Sequence, residues 1–483
     1  MSYHLPHLVG GAISAHPAWV ALAVLLPLAV SGTLGAAVGP TSVSPGLGLT
    51  LVRAVNGTLQ SGSYVGTHLA GPFFDIVFTD VSTPTSSLLH FGSYLNSTPI
   101  GVMRFGGSGE GYDPTAQVNY EPPSSGTGRY VASHEQLWNL TWFKSWCLSR
   151  TPHCSWLTYL PGEENDTRAA VHFARWYHQV LGFAPTFWEF GNEPSQWTHF
   201  GKNLTNWSTT DALPPSALGY ATMARSYIAA VSALYPKDQF LGLEAACACN
   251  APMTSSTAQL NAHHLSAMAY HSYPSSSTSS IHLSAFYALL TSTGGIPSSS
   301  ARYRSAVAAS CSACTNLPVE LGEYQAGPFN AFSPFAATYA GAPFMAASII
   351  QALQANLSAL TVYNLDSLFD AASSTPTFEG LLYQRILANL TMGNDYLAPV
   401  KVSGLPGLYT LLIKNGTREA LMVVNTNLVT ALNLHVASIY PSGVKGEVWS
   451  WSSGAGTPTH QAVQSLPSSY SVGPQGILLV ANY

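Results

Sequence analysis

The sequence predicts an α/β protein in two parts, a (β/α)8 TIM barrel followed by a C-terminal antiparallel β-sandwich domain. Three observations carry this. Short apolar runs alternate with helical stretches over most of the chain, the mark of repeated βαβ units and a parallel sheet. Eight strand candidates fall between residues 74 and 364, as a (β/α)8 barrel requires. No G-x-G-x-x-G fingerprint follows any of them, which disfavours an open doubly wound sheet. Past residue 394 the texture changes to short strands separated by turn signals, the pattern of a small sandwich.

Taken in order, residues 1–40 read as a targeting segment. No Asp, Glu, Lys or Arg precedes Arg53, and 18–38 is a mostly apolar run long enough to cross a bilayer. The small residues Gly35, Ala36 and Ala37 also suit cleavage, so a signal peptide and a single N-terminal membrane anchor are both open. Residues 41–60 hold an apolar alternation, Leu47 to Val52, that predicts a strand joining the sandwich. The barrel spans 61–393. Its expected strands are 74–79, 100–105, 156–160, 186–190, 240–246, 266–270, 318–322 and 359–364.

Helices are expected at 86–95, 166–181, 216–234, 281–290, 334–357 and 379–389. The second has Val171, Trp176 and Val180 spaced along one face, and the third is stopped by Pro236. The uncharged stretch 330–365 carries Pro343 and reads as a buried helix, not a membrane span. The sandwich spans 394–483, with strands at 408–413, 420–424, 432–436, 447–451 and 477–480. Turns at Asn415-Gly416 and Pro441-Ser442-Gly443 separate them.

Only 8% of the 483 residues are charged, at net −5, while 47% are hydrophobic and 11% aromatic. Seventeen basic residues do not supply a nucleic-acid-binding patch, and the aromatic content argues against disorder. A surface of hydroxyls and amides stays soluble without titrating. It suits an exported protein living in acid, or a glycosylated Ser/Thr-rich secreted one. Nine Asn-x-Ser/Thr sequons, Asn56 to Asn415, point the same way. The six cysteines fall in three close pairs and suit disulfides. Cys147–Cys154 is the expected local bridge, and Cys247, Cys249, Cys311 and Cys314 are expected to cross-link two neighbouring loops. Fifteen connectivities are formally open.

With so few carboxylates, two motifs at strand ends stand out: Trp188-Glu189-Phe190-Gly191-Asn192-Glu193-Pro194 and Val319-Glu320-Leu321-Gly322-Glu323-Tyr324. The C-terminal strand ends form the active face of a barrel. Paired carboxylates there are what glycoside hydrolysis needs, one as acid/base and one as nucleophile. Glu193 is the expected acid/base and Glu323 the nucleophile. Asn192, Tyr273, His271, Arg104, Trp188 and Gln325 are the expected substrate-binding or supporting residues. Tyr273 is expected to hydrogen-bond Glu323. Glu320 is placed in the barrel interior beside Arg104, and neighbours of this kind are expected to depress the Glu323 pKa. Trp197, Tyr112 and Tyr120 are candidates to stack on sugar rings. His263, His264 and His271 lack any metal-binding spacing, so no metal or cofactor is expected.

These motifs resemble the retaining glycoside hydrolases of clan A. Asn192-Glu193 is similar to the clan's acid/base strand 4, and Glu323 to its nucleophile strand 7. Within the clan the resemblance is to family 79, the heparanase and β-glucuronidase group. It rests on Met103-Arg104-Phe105-Gly106-Gly107, His271-Ser272-Tyr273, Leu321-Gly322-Glu323 and the Ala-rich helix that follows, and covers about residue 45 to the C-terminus. It implies a barrel followed by a sandwich, a β-linked oligo- or polysaccharide substrate, double displacement and β-glucuronidase-like activity. One departure is that a single glycine, Gly327, follows Glu323 where that family has consecutive glycines. With the shortage of Lys and Arg, this keeps a neutral sugar open beside a glucuronide. The alternatives are a non-catalytic carbohydrate-binding or cell-surface glycoprotein on the same scaffold, and a surface-layer protein.

Overall fold

The computed structural model describes residues 47–50, 52–53, 60–62 and 71–74 and, with interruptions, 92–482. The longer interruptions are 106–118, 122–128, 198–206, 208–214, 276–281, 327–334, 363–367 and 391–394. The apolar run at 18–38, Tyr112 and all but the first residue of the strand expected at 74–79 lie outside the described residues. No helix among the described residues is long and apolar enough to cross a membrane.

Eight strands form one parallel sheet: β1 Gly71–Phe74, β2 Val102–Phe105, β3 Ser155–Leu160, β4 Phe187–Phe190, β5 Leu241–Ala245, β6 Ala267–Ser272, β7 Val319–Tyr324 and β8 Ala359–Val362. Their order is β5-β6-β7-β8-β1-β2-β3-β4. The two edges meet at a parallel bridge between Trp188 and Phe240, where the Trp188 N–H donates to the Gln239 carbonyl at 2.9 Å. Val102, Leu157, Leu241, Ala267, Ala269 and Ala359, from five of the strands, pack into one small cluster separate from the main core. Such a meeting requires the sheet to curl, and the small alanines leave room for it.

Helices follow the strands as βαβ units demand: α1 His134–Ser149, α2 Thr167–Trp176, α3 Ala217–Leu234, α4 Ala251–Asn261, α5 Leu283–Ala288, α6 Ile296–Ser310, α7 Gly341–Gln354 and α8 Phe378–Leu381. Several carry the cap their sequence offers. Asp166 accepts from the Arg168 N–H at 2.8 Å and Ser216 from the Gly219 N–H at 3.0 Å, each satisfying a donor with no partner inside the helix. Helices α1, α4 and α6 were not expected. In α4 and α6, Ser, Thr and Ala dilute the apolar stripe, and burial against neighbours supplies what periodicity does not advertise. The uncharged stretch at 330–365 contains α7, which is buried over nearly its whole length, against the barrel on one side and the sandwich on the other. A helix covered on both sides is apolar all round.

The C-terminal region has a seven-stranded sheet built mainly from antiparallel Leu408–Asn415, Arg418–Asn425, Gly446–Trp451 and Gly476–Asn482. Period-2 alternation sends successive residues to opposite faces. Leu411, Ile413, Met422, Val424 and Leu479 join the core shared with α7, whereas Leu412, Leu421, Val423, Leu478 and Val480 face a three-stranded sheet. That small sheet includes Leu47–Thr50, paired parallel with Leu432–His435. A second N-terminal strand, Gln60–Gly62, pairs with Asp395–Ala398 at the edge of the large sheet.

The disulfides are Cys147–Cys154, Cys247–Cys249 and Cys311–Cys314. The expected cross-link between two loops is therefore corrected. Cys247–Cys249 lies in the β5–α4 connection and Cys311–Cys314 follows α6, so each closes within one turn of chain.

Candidate active site

The site gathers at the C-terminal ends of β2, β4, β6 and β7. Its centre is Arg104 of β2, fully buried, with its guanidinium shared among three partners. Nε and Nη2 donate to Glu189 at 2.9 and 2.7 Å, Nη1 to Glu323 Oε1 at 2.8 Å, and Nη2 also to Asn192 Oδ1 at 2.8 Å. This planar fork fits bidentate carboxylate recognition. One cation thus ties the floor of the site, Glu189, to both motifs singled out in the sequence. Glu320, the expected neighbour of Arg104, is buried on β7, directly opposite Ala359 in the register.

Glu323 reaches the site because β7 is irregular. Tyr270 pairs with Leu321 but the next residue, His271, pairs with Glu323, so Gly322 is skipped. Such a bulge shifts the side-chain alternation by one residue. It lets Glu320 and Glu323 share a side despite their odd spacing. Glu323 Oε2 accepts from the Tyr273 hydroxyl at 2.6 Å and lies 3.2 Å from His271 Nδ1. The same Nδ1 is 2.7 Å from Glu193 Oε1. With both carboxylates ionised, Nδ1 carries the hydrogen. His271 therefore bridges the two carboxyl groups.

Glu193 is presented by a turn, not by the strand. Gly191 has φ +78° and Glu193 itself φ +47°. A Cβ on Gly191 would lie 2.5 Å from the Trp197 ring, so the position needs glycine both for its conformation and for space. The left-handed Glu193 carries a backbone cost of about 1–3 kcal/mol, common where a side chain must be aimed. The Trp197 indole N–H donates to the Asn192 carbonyl at 2.6 Å and locks the turn.

Glu193, His271 and Glu323 each place one potential ligand atom within 4.8 Å of the others. Those three residues would hold a metal if one were bound, but their spacings are those of hydrogen bonds centred on His271 Nδ1.

Burial pushes the Glu323 carboxyl above the usual Glu range, and the nearby Glu193 charge adds to the push. His271, Arg104 and the Tyr273 hydroxyl act in the opposite direction. The expectation that neighbours depress this group is corrected, because loss of hydration outweighs them.

One expected substrate contact, Trp188, lies elsewhere. Trp188 alternates with Glu189 along β4 and points away from the site. It packs on Phe173 and Tyr177 and donates its indole N–H to Asp238 at 2.6 Å. Gln325, the first residue past the C-terminal end of β7, is fully buried, accepting from the Ala326 N–H at 2.8 Å and reaching Glu379 at 3.4 Å. Trp197, expected to be exposed, is fully buried. Tyr120 sits in a hairpin strand, Asn119–Glu121. His263 and His264 are exposed in the turn before β6, at the opposite end of that strand from His271. Sequence reasoning did not assign Glu189 its pairing with Arg104, although strand parity with Glu193 was the available signal. Nothing in the sequence marked Glu379.

No family model matches this sequence, and no curated protein matches it. Solved structures do. The chain is similar to a glycoside hydrolase family 44 xyloglucanase from Paenibacillus polymyxa, determined with xyloglucan, at 11% identity and TM-score 0.63, covering 90% of this chain and 99% of the other. A family 51 α-L-arabinofuranosidase from Bifidobacterium longum matches at 11% identity and TM-score 0.66, with the same coverage. A family 30 subfamily 8 xylanase from Clostridium acetobutylicum matches at 11% identity and TM-score 0.53, covering 90% and 98%. At these identities the likeness is one of fold. The fold is shared with clan A glycoside hydrolases of families 44, 51 and 30, and does not single out family 79.

Proposed function

We propose that this protein is a retaining glycoside hydrolase that cleaves β-linked glycosides or polysaccharides by double displacement, on a (β/α)8 barrel with a C-terminal β-sandwich. The observation that carries the reading is the carboxyl pair at the strand ends. One oxygen of Glu193 and one of Glu323 lie within 4.8 Å of each other. Retaining enzymes hold their carboxyl groups about 5–5.5 Å apart, whereas inverting ones leave about 6.5–9.5 Å for a water.

In this mechanism a Glu323 carboxylate oxygen attacks the anomeric carbon, and the bond from that carbon to the glycosidic oxygen breaks. Glu193 gives its proton to the departing oxygen. Glu193, now ionised, takes a proton from water, whose oxygen attacks the same carbon and frees Glu323. Arg104 and Tyr273 hold the charge on Glu323 before it attacks and again as water frees it. His271 Nδ1 touches both carboxyl groups and holds them beside one reacting position. Asn192, oriented by Arg104, stands beside Glu193 where a sugar hydroxyl would bind.

The β-glucuronidase-like reading rests on the motif resemblance alone. Export to the cell exterior or surface is supported by the three disulfides and by exposed sequon residues such as Asn96 and Asn356. The test is hydrolysis of aryl β-glycosides by the full chain and by Glu193→Gln and Glu323→Gln. Each substitution is expected to lower kcat/KM by about a thousandfold or more. Wild-type activity in Glu323→Gln would remove the proposed mechanism.

A further inference from the structure

The chain leaves each of the eight parallel strands at the end where Glu193 and Glu323 stand, so the charges that follow the strand ends bear on the field a substrate meets. Between the strand ends and the helices that follow, the sequence places only two Lys or Arg residues, Arg129 and Lys202, against twelve Asp or Glu. Arg129 stands directly opposite Glu121 in a two-stranded hairpin. The sequence following β5, β6 and β7, up to the next helix, contains no Asp, Glu, Lys or Arg at all.

Within the site the only Lys or Arg among the described residues is Arg104. It is fully buried and bonded to Glu189, Glu323 and Asn192. His271 is likewise buried between the two carboxyl groups. Among the described residues a sugar carboxylate finds no other Lys or Arg, so it would have to displace one of those bonds or lie beside Glu193 and Glu323 without a cation. Either is a strong penalty in a water-poor site. Neutral hydroxyls meet no such penalty.

We infer that the sugar taken at the reacting position is uncharged, a neutral pyranose or furanose unit, and that uronic acids are rejected. This rests on the glycosidase reading, and the experiment separates the two. The full chain is assayed on aryl β-glucoside, β-xyloside, β-galactoside and β-glucuronide from acid to neutral pH. In parallel, Glu323→Gln is titrated with neutral xyloglucan and with a polyglucuronate.

Turnover of at least one neutral glycoside, with the glucuronide at least about a hundredfold lower in kcat/KM, is the expected result. The gap should narrow in acid, as the glucuronide carboxyl gains its proton. A glucuronide cleaved as well as or better than every neutral glycoside would overturn the inference and leave the glycosidase reading standing. If nothing is cleaved, selective binding of xyloglucan keeps the inference and removes the enzyme. Selective binding of polyglucuronate, or no binding of either polymer, removes the inference.

Discussion

Glu323 is held by opposing influences. Burial raises its pKa, whereas His271, Arg104 and Tyr273 favour the ionised form a nucleophile needs. A raised value means that the nucleophile takes up its proton in less acid solution, so the fall of activity on the acid side is expected at a pH above the ordinary Glu value of 4.5. Removing a donor to the ionised form raises the pKa further. Tyr273→Phe is therefore expected to move the acid limb of the kcat/KM profile to higher pH. It should also lower kcat about ten- to a hundredfold, the worth of one hydrogen bond to a charged group. An unmoved acid limb would show that the 2.6 Å contact does not tune the nucleophile. The two principal carboxylates were legible as residues because carboxylates are scarce and these sit in Gly-bearing strand ends. The pKa direction was not, because it depends on burial, which no local motif records.

At the scale of elements, the turn after β4 and the bulge in β7 do the aiming. Alternation along a regular β7 would send Glu320 and Glu323 to opposite faces, and skipping Gly322 in the pairing brings them together. After β4, Gly191 and Glu193 adopt left-handed backbone with Trp197 packed beneath. Gly191→Ala adds a Cβ where the ring already sits and forces an unfavourable φ. It is expected to destabilise the fold by about 2 kcal/mol or more in denaturant unfolding, and to reduce activity at temperatures where the protein remains folded. Unchanged stability would mean that the turn relaxes freely. Most strands were legible from their apolar runs to within a residue or two, from β3 to the last strand of the sandwich. Helices α4 and α6 were not, since their faces are Ser and Ala; of the disulfides, Cys147–Cys154 was legible from its spacing, whereas Cys247–Cys249 and Cys311–Cys314 were not, since each closes on its neighbour in sequence. Trp188 misled for a related reason: its neighbours in sequence are catalytic candidates, but strand alternation turns it to the other face.

Across the whole molecule, low charge and buried acids point to stability in acid. Glu379, fully buried in the first turn of α8, has its carboxyl pushed up to about 8 from 4.5 by desolvation. Between those values the folded chain holds a proton that the unfolded chain has lost, so stability falls as pH rises from about 4.5 to about 8 and is fully present below that window. The raised Glu323 acts in the same sense. Thermal unfolding should show the midpoint rising as pH is lowered from about 8 to about 5, with Glu379 contributing a few kcal/mol at most. Glu379→Gln should flatten much of that slope; an unchanged slope would assign the effect elsewhere. The central claim, that Glu323 attacks the sugar while Glu193 serves as acid and base, is tested most directly by trapping the covalent intermediate. The full chain is incubated with a 2-deoxy-2-fluoro glycoside of a sugar it cleaves, then digested and analysed by peptide mass spectrometry. The account predicts one glycosyl adduct, on the peptide that contains Glu323 and lost in Glu323→Gln. An adduct on another carboxylate, or inversion of the anomeric centre with no adduct, would contradict it.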